Sequence, residues 1–302
     1  MKVVIAGGSG FIGRYLVDCY HEAGNDVYII SRTEQSNEKA RVLTWHDEHA
    51  LMNALSGADL LINMAGKSVD CRYHKRNKNA ILRSRVDTTK QLNTLIGKIE
   101  NPPKLWINSS TATIYRDALD RPMTEKDGDI GSGFSVDVAT KWERTFFKPI
   151  LASTRKVAIR TAIVLGLGGG AFVHFRMLAK IGFGGRQGSG KQMVSFVHIH
   201  DVYRVIEFIR MSDCNNTVYN VSAPNPVNNY NFMKTFREQL KVKLGLPIFT
   251  WMLTIGAFIL RTETELLLKS RWVLPDKLTK EGYTFSYPTI REAVSGLISE
   301  ES

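Results

Sequence analysis

Cysteine is scarce in this 302-residue chain, and the three present, Cys19, Cys71 and Cys214, are odd in number and far apart. They have neither the spacing of a redox pair nor that of a metal-ligand set, so we expect no disulfide framework and no metal site. We also expect no secretory signal, because the apolar residues 3–6 are too few and a glycine turn follows them at once. The sequence therefore predicts a reducing, cytoplasmic compartment.

Acidic residues are outnumbered. Asp and Glu total 29 against 40 Lys and Arg, which gives a formal net charge of +11. Such an excess can indicate nucleic-acid binding, but the basic residues are spread along the chain. The densest patch, residues 72–85, falls in a predicted helix and lacks the interleaved aromatic side chains of a base-stacking surface. We expect no nucleic-acid partner and interpret the charge as solubility plus attraction for a phosphate-bearing ligand.

Long hydrophobic runs are absent apart from residues 244–260, which read LGLPIFTWMLTIGAFIL. This run is at the lower length limit for a membrane-spanning helix, and Gly245, Pro247 and Gly256 interrupt it. We therefore expect no stable membrane span. A helix that is buried or covers a pocket is the favoured interpretation, and membrane contact is the alternative.

A glycine-rich turn near the N-terminus organises the rest of the chain. The run Lys2–Ala6 predicts a strand, Arg14–Ala23 a helix and Asp26–Ile30 a second strand, with GGSGFIG between the first two. Glycines in such a turn let the backbone approach a pyrophosphate, and the start of the helix offers free N–H groups. A βαβ unit that binds no nucleotide is the alternative. The residues expected to contact the pyrophosphate are Gly7, Gly10, Phe11, Ile12 and Gly13.

The end of the second predicted strand bears on the choice of dinucleotide. NAD-binding units usually have Asp or Glu there, which binds the ribose hydroxyls. This chain has Ser31 and Arg32 instead, and an arginine can hold a phosphate through two parallel hydrogen bonds. The sequence therefore predicts NADP(H) rather than NAD(H) as the cofactor. A solvated arginine at a strand end is the alternative.

Strands and helices alternate through the first half of the chain. Strands are also predicted over residues 40–45, 60–64, 104–108 and 156–160, and helices over residues 48–56, 74–99 and 136–151. This order is typical of an α/β fold with a doubly wound parallel sheet of the Rossmann type. Ligands of such sheets bind at the carboxyl ends of the strands. The predicted cofactor site therefore also includes Met64, Ala65, Gly66 and Ser109.

The pattern changes at about residue 166. Glycine-rich loops are expected at 168–170 and 182–190, a strand at 194–198, a helix at 201–210 and irregular structure at 220–229. Helices follow at 231–241, within 249–270 and at 290–299. We expect a dinucleotide-binding domain over residues 1–165, to which parts of 192–222 return. Residues 166–302 are expected to form a smaller, mainly helical C-terminal lobe that closes over the strand ends.

Several motifs together resemble the extended short-chain dehydrogenases/reductases, the group that contains sugar-nucleotide epimerases. They are GGSGFIG, SR, LINMAGKSV, ILRSRV, TKWE, RTAIVLGLGGGAF, GSGKQMVSFVHIHD, SAPNPVNNYNF and ELLLKSRWVLP. Within that group the chain is similar to an atypical epimerase-like family, that of the human short-chain dehydrogenase family 39U protein, which has its own C-terminal domain. The resemblance covers nearly the whole chain. It implies an NADP(H) cofactor and a small-molecule substrate such as a nucleotide sugar.

The resemblance also implies roles for individual residues. The Ser-Arg pair after the second strand matches the family's site for the 2′-phosphate of NADP(H), and Met64 and Ala65 match residues that line the cofactor. Arg85 matches a motif arginine that reaches the cofactor, and Val164 matches a position near the nicotinamide. From the sequence pattern alone, Arg85 could instead be a salt-bridged arginine on a helix surface.

Short-chain reductases use a tyrosine for proton transfer, a lysine four residues later that lowers the tyrosine pKa, and a Ser or Thr hydroxyl that polarises the substrate oxygen. The resemblance places Thr111 where that hydroxyl belongs, with Tyr115 four residues later. The tyrosine of the pair is missing, because Asp137 stands four residues before Lys141. If Glu143 marks the register instead, the two positions are Ser135 and Ala139.

Three substitutes for the missing tyrosine are open. Tyr115 is a candidate proton donor, Lys141 a candidate ribose ligand or acid, and His198 or His200 could titrate near neutral pH. For the histidines we favour a structural role, with Asp201 capping the following helix. Two functions remain open. One is an NADP(H)-dependent oxidoreductase or epimerase, and the other is a cofactor-binding sensor or interaction protein with little or no catalysis. We expect a monomer or a homodimer.

Overall fold

The computed structural model describes residues 1–34, 36–213, 215–252 and 268–301. Its strands in chain order are β1 (Lys2–Ala6), β2 (Asp26–Ser31), β3 (Arg41–Thr44), β4 (Leu60–Asn63), β5 (Leu105–Thr111), β6 (Arg155–Thr161), β7 (Ile163–Leu165), β8 (Met193–Val194), β9 (Phe196–His198), β10 (Val218–Val221) and β11 (Val227–Asn228). The helices are α1 (Phe11–Glu22), α2 (Glu48–Leu55), α3 (Lys75–Ile96), α4 (Phe134–Phe147), α5 (Gly170–Lys180), α6 (Ile199–Met211), α7 (Asn229–Gln239), α8 (Asp276–Lys280) and α9 (Ile290–Glu301).

Seven strands form one parallel sheet in the order β10-β6-β5-β4-β1-β2-β3. The central strand β4 is buried along its whole length, as expected for a parallel strand that is covered on both sides. Helices α1 and α6 cover one face, where Leu16 and Val205 share a core with the strands. Helices α2, α3 and α4 cover the other face, where Leu51, Leu92 and Phe146 are buried. The predicted fold class is therefore confirmed.

A separate apolar core lies among α5, α7 and α9. Phe172 and Phe175 of α5 pack against Phe232 and Phe236 of α7, with the ring centres between 5.0 and 5.8 Å apart. The pairs β7/β9 and β8/β11 form two small sheets beside this core. Strand β10 meanwhile belongs to the large sheet, although it comes after α6 in the chain. The domain boundary expected at residue 165 stays a prediction.

Three local expectations are wrong. Residues 220–229 are not irregular throughout, because β10 pairs with β6 through Asn220 and Arg160, and β11 pairs with β8. The single strand expected over 194–198 is two strands in different sheets, since β8 pairs with β11 and β9 with β7. Helix α5 had no counterpart among the predicted elements, because the glycines on both sides of it masked its apolar pattern.

The apolar run 244–260 lies partly outside the described residues. In the described part, residues 244–252, Leu244, Phe249 and Trp251 are exposed, and Ile248 is buried. Most of these described residues are therefore not buried, and whether the run forms a buried or pocket-covering helix stays a prediction, because residues 253–260 lie outside the described ranges. Along the ranges that the structure describes, none of the helices has the length and apolar character that crossing a membrane would need.

Candidate cofactor and substrate site

Glycines shape the turn between β1 and α1. Gly7 has a φ of +81°, a left-handed conformation that favours glycine. It also has no room for a side chain, since a Cβ there would lie 2.8 Å from the backbone carbonyl carbon of Met64. A Cβ on Gly13 would lie 2.2 Å from the carbonyl oxygen of Gly7. The turn therefore keeps its backbone bare, which is what close approach of a phosphate requires.

The start of α1 is open to an anion. Gly10 is its N-cap residue, and no side chain caps the helix there. The first turn contains no acidic residue, and the N–H groups of Phe11, Ile12 and Gly13 have no acceptor within the helix. The helix dipole and these N–H groups favour negative charge at this end. The residues present therefore fit the pyrophosphate of a dinucleotide.

The chain leaves β2 beside this turn. Ser31 is buried, and its Oγ donates to the carbonyl of Thr33 at 2.8 Å and accepts the Thr33 N–H at 3.2 Å. Arg32 is exposed, and it forms no hydrogen bond or ion pair with any residue in the described ranges. Strands β1 and β2 are neighbours, with Ala6 opposite Ile30. A guanidinium that is free to bind a phosphate thus stands one strand away from the glycine turn.

The segment after β4 lies on the other side of the turn. The Met64 N–H donates to the Ala6 carbonyl at 2.8 Å, and a Cβ on Gly66 would lie 3.0 Å from the guanidinium carbon of Arg85. Arg85 donates from Nη1 to the carbonyls of Lys67 and Ile81 at 3.0 and 3.1 Å. Burial lowers its pKa to about 10. No carboxylate of the described residues pairs with it, so the alternative of a salt-bridged surface arginine is wrong.

A buried ladder of polar side chains supports these strand ends. Asn63 donates from Nδ2 to Oδ1 of Asn108 at 2.7 Å and to Oγ1 of Thr89 at 3.0 Å, and its Oδ1 accepts the Ala65 N–H at 3.1 Å. The indole of Trp142 donates to the same Thr89 hydroxyl at 2.9 Å, and the guanidinium of Arg85 lies 5.3 Å from its ring centre. The ladder therefore fixes both the backbone after β4 and the ring beside Arg85.

Thr111 ends β5, next to the site. Its Oγ1 accepts the Thr113 N–H at 3.2 Å and lies 3.0 Å from the Thr113 hydroxyl. Ser109 lies two residues earlier, on the same side of the strand. Val164 lies in β7 opposite Val197, half-buried. Both hydroxyl residues are half-buried rather than enclosed, which leaves them open to a ligand at the strand end.

Tyr115 belongs to a chain of buried polar groups. Its hydroxyl donates to Oδ1 of Asn220 at 2.9 Å and accepts from Nη1 of Arg160 at 2.8 Å. Arg160 binds Glu143 through two hydrogen bonds of 2.8 Å each. The hydroxyl of Ser110 donates to the same carboxylate at 2.6 Å. These contacts tie three neighbouring strands, β5, β6 and β10, to α4.

The charged groups around Tyr115 set its protonation. Burial raises the pKa of the Tyr115 phenol, and the Arg160 guanidinium offsets only part of that rise. Burial also lowers the pKa of Arg160, but the hydrogen bonds and charge of Glu143 more than offset this, so its pKa is raised overall. At neutral pH the site therefore holds a protonated phenol beside a permanent cation. That pair can donate a proton and then stabilise the phenolate.

Helix α4 presents no tyrosine–lysine pair to the site. Asp137 and Lys141 are both exposed, and the Lys141 ammonium has no hydrogen bond or ion pair within the described residues. Of the alternative pair, Ser135 is half-buried and Ala139 is fully buried. The structure thus brings Thr111 and Tyr115 to one strand end, and no contact joins Lys141 to either. Whether Lys141 has a catalytic role stays a prediction.

A cavity of about 460 Å³ opens beside Tyr115. Ser132 and Val136, at the start of α4, form part of its wall. Arg116 is also in the wall and is held there by Asp120 and Asp129, at 2.7 and 2.8 Å. Lys269 and Arg271 line it as well, together with the carboxylate of Asp117, so the cavity is polar and has more cations than anions in its wall.

The two histidines of the VHIHD motif have structural contacts. His198 is buried, stacks on Tyr287 with the ring centres 3.8 Å apart, and caps α6 by accepting the His200 N–H on Nδ1. Burial lowers the His198 pKa to about 4. Asp201 does not cap the helix as expected. It lies in the first turn and accepts hydrogen bonds from the Tyr283 hydroxyl and from the backbone N–H groups of residues 286 and 287.

A parallel sheet with a bare glycine turn, an uncapped helix start and polar strand ends defines a Rossmann-type protein with a dinucleotide-shaped site. Residues 3–132 match the family model of the NAD dependent epimerase/dehydratase family, and residues 248–297 match a domain of unknown function, DUF1731. The chain is 30% identical over 306 residues to the epimerase family protein YfhF of Bacillus subtilis, covering 99% of each chain. The chain belongs to this epimerase family, as the motifs predicted.

Solved structures agree with this assignment. The human epimerase family protein SDR39U1, crystallised with NADPH, is 29% identical and superposes with a TM-score of 0.87 over 99% of both chains. The protein MoeE5, in complex with UDP-glucuronic acid and NAD, is 18% identical and has a TM-score of 0.77 over 99% of this chain and 98% of its own. The second likeness shows the fold alone.

Glu143, Arg160 and Asn220 were not among the predicted site residues. Glu143 carried a usable signal, because it is a carboxylate on the apolar face of an amphipathic helix, next to Trp142 and one turn before Phe146. Buried carboxylates nearly always have a partner. No comparable signal marked Asn220, which fell in a stretch expected to be irregular.

Proposed function

We propose that this chain is an NADP(H)-dependent enzyme of the epimerase or oxidoreductase type that acts on a nucleotide sugar or another small carbonyl compound. The observation that carries the proposal is the free guanidinium of Arg32, one strand from the bare glycine turn. The human relative crystallised with NADPH supports the same cofactor. The proposed cofactor-binding residues are Gly7, Gly10, Phe11, Ile12, Gly13, Ser31, Arg32, Met64, Ala65, Gly66, Arg85, Ser109 and Val164.

Bound NADP(H) supplies hydride chemistry, and the chain supplies binding, orientation and proton transfer. The N–H groups of α1 bind the pyrophosphate, and Arg32 binds the 2′-phosphate. Arg85 adds a half-buried cation without a carboxylate partner in the described residues, which favours a nearby anion. These residues would hold the cofactor at the carboxyl edge of the sheet, where Thr111 also lies.

Proton transfer in this proposal belongs to Thr111 and Tyr115. The Thr111 hydroxyl polarises the substrate oxygen, and the Tyr115 phenol donates the proton. Arg160, 2.8 Å from the phenol oxygen, stabilises the phenolate that results. Lys141 is kept as a candidate ribose ligand or acid, and its side chain is exposed on α4.

Turnover tests this proposal directly. The purified chain is incubated with simple carbonyl compounds and NADPH that carries deuterium at the reactive carbon, and separately with nucleotide sugars and NADP+, which accepts the hydride that epimerisation first removes. Products are read by mass spectrometry. We expect label transfer or epimer formation for at least one class. Tyr115→Phe should reduce the rate by about 100-fold or more, the usual contribution of a general acid. The matched control Tyr230→Phe, at an exposed tyrosine of α7, should leave the rate unchanged.

A cofactor-binding sensor is the second candidate function. It is favoured by α4, whose positions for the usual tyrosine hold a half-buried serine and an exposed aspartate. Tight NADPH binding without turnover across the whole panel would establish this function and overturn the first. Turnover that survives Tyr115→Phe would keep the enzyme but remove the proton-transfer assignment.

The compartment and the oligomeric state are also proposals. Cys19 and Cys71 are free thiols, which supports a reducing, cytoplasmic environment. A monomer or a homodimer is proposed, and light scattering at several protein concentrations distinguishes the two. No nucleic-acid partner is proposed, since the cavity and the glycine turn both suit small anionic ligands.

A further inference from the structure

Two segments distant in the chain form one surface at the far end of α5. The loop 182–188 and residues 246–248 are joined by backbone hydrogen bonds, from the Leu246 N–H to the Gly182 carbonyl at 2.8 Å and from the Ile248 N–H to the Arg186 carbonyl at 2.9 Å. Two more hydrogen bonds have their donors in the loop, from the Gly185 N–H to the Leu246 carbonyl and from the Gly188 N–H to the Ile248 carbonyl. The two segments therefore present their side chains as one rigid unit.

This surface exposes large apolar side chains. Ile181, Leu244 and Trp251 are 60%, 56% and 64% exposed, which is unusual for such residues in one place. A Cβ on Gly182 would lie 3.1 Å from Leu244, and Phe249 lies 5.9 Å from the guanidinium of Arg186. Leu244 therefore lies beside the end of α5, and Phe249 lies beside the loop 182–188. The exposed apolar residues of this face are Met177, Ile181, Leu244, Leu246, Phe249 and Trp251.

Basic residues predominate in the segments that carry these side chains, and the carboxylate of Glu301 pairs with Arg176 of α5. The segments 170–191 and 240–252 together contain six Lys and Arg residues and no Asp or Glu. Five of the six are exposed and form no ion pair with a residue that the structure describes. Lys191 follows the loop 182–188, and the other four are Lys180, Arg186, Lys241 and Lys243. We call these four cations and the six apolar residues the apolar-basic face.

We propose that the apolar-basic face attaches the protein peripherally to an anionic lipid bilayer. Aromatic and aliphatic side chains bordered by lysines are the composition of segments that lie in a membrane interface, where tryptophan sits at the headgroup level. Unpaired lysines near the surface add attraction for anionic lipids. A second copy of the chain is a poor occupant, because the same cations would face each other across a two-fold axis. The attachment is interfacial, with no spanning helix.

The apolar-basic face is separate from the glycine turn. Gly170, at the start of α5, packs against the Phe11 ring, whereas Ile181 follows the end of the same helix. With a rise of about 1.5 Å per residue, the two ends of α5 are roughly 15 Å apart. Membrane attachment would therefore leave the start of α1 accessible, and its test does not depend on cofactor binding or on turnover.

Flotation with vesicles tests the proposal. The full chain is mixed with vesicles of phosphatidylcholine alone or with about 30% phosphatidylglycerol, at low and at high salt. We expect flotation with the anionic vesicles, loss of flotation at high salt, and little flotation with phosphatidylcholine alone. The emission of exposed Trp251 should shift to shorter wavelength when anionic vesicles are added, and Trp251→Phe should remove that shift.

Variants connect the result to the face. Each lysine near an anionic surface contributes about fivefold to the vesicle partition coefficient. The double variant Lys241→Gln/Lys243→Gln should therefore lower this coefficient by more than about tenfold. The matched control Lys90→Gln/Lys98→Gln removes two exposed lysines of the α3 region and should leave partitioning nearly unchanged. Phe249→Ser should also reduce partitioning, and Ile150→Ser, at an apolar residue that is 93% exposed elsewhere, should not. Unfolding temperatures verify that each variant is folded.

Two results would overturn the proposal. One is a flotation that does not depend on lipid charge: equal flotation with neutral and anionic vesicles would remove the role of the cations, and no flotation with either would leave an acidic protein as the better occupant. The other is partitioning of the lysine and Phe249 variants that equals that of the unaltered chain, which would place the contact elsewhere.

Discussion

Arg160 and Glu143 form a two-point ion pair, with Nε 2.8 Å from Oε1 and Nη2 2.8 Å from Oε2. Their side chains are only 12% and 11% exposed. The pair joins the end of β6 to α4, and Ser110 extends it to β5. It holds α4 with Ala139 facing inward, so that Lys141 faces solvent. Helix α4 therefore lacks the tyrosine–lysine pair and instead contributes Glu143 to a buried polar network.

Glu143→Leu should lower the free energy of unfolding by about 3–5 kcal/mol, because it leaves the Arg160 charge buried without a partner. Urea denaturation measures the change. Glu143→Leu/Arg160→Met removes both charges and should recover a large part of the loss. The exposed pair Arg83–Asp87 is the control, and Asp87→Asn should cost less than about 1 kcal/mol. Equal losses in the single and double variants would contradict this account of the pair.

Gly13→Ala should both destabilise the protein and abolish NADPH binding, because the new Cβ would lie 2.2 Å from the Gly7 carbonyl oxygen. Gly10→Ala is the graded control, since its Cβ would lie 3.3 Å from the same oxygen and needs only a small adjustment. The unfolding temperature should therefore fall much more for Gly13→Ala than for Gly10→Ala. Similar unfolding temperatures for the two variants would show that the turn is looser than its geometry indicates.

The stability of the fold should depend on His198 in mildly acid solution. Its pKa is lowered from 6.5 to about 4 by burial and by His200, so the fold favours the neutral ring. This contribution is fully present above pH 6.5 and is lost as the pH falls toward 4. It amounts to at most about 3 kcal/mol.

His198→Asn keeps a capping oxygen for α6 and removes the titrating ring. The variant starts less stable because it loses the stacking on Tyr287, but its free energy of unfolding should fall less between pH 6.5 and 4 than that of the unaltered chain. Urea titrations at several pH values measure both slopes. Parallel slopes would mean that other groups cause the acid sensitivity.

The sequence predicts the large sheet well because its signals are local. Lys2–Ala6, the glycine turn and Asp26–Ile30 lie within about thirty residues, and β3, β4 and β5 each precede a recognisable helix. Strand β10 was missed because its identity depends on pairing with β6, about sixty residues earlier. Helix α5 was missed because its flanking glycines resemble loop punctuation.

The candidate site divides in the same way. The phosphate-binding residues are consecutive or nearly so, and a motif is enough to find them. The network around Tyr115 joins residues 110, 143, 160 and 220, whose side chains meet only after the strands are ordered in the sheet. The unpaired state of Arg85 and the exposure of residues 244–252 also depend on tertiary packing, which periodicity does not encode.

The most direct test of the account compares NADPH and NADH affinity, by titration calorimetry, for the unaltered chain, Arg32→Ala and Arg41→Ala. Arg41 is the matched control, because it lies on β3 opposite Tyr28, away from the carboxyl ends of the strands. The account predicts that the unaltered chain prefers NADPH. It also predicts that Arg32→Ala weakens NADPH binding by about 10- to 100-fold with little change for NADH, the loss of a charge-assisted phosphate contact. Arg41→Ala should change neither affinity. Equal losses for both nucleotides in Arg32→Ala, or a preference for NADH in the unaltered chain, would contradict the assignment of Arg32 to the 2′-phosphate.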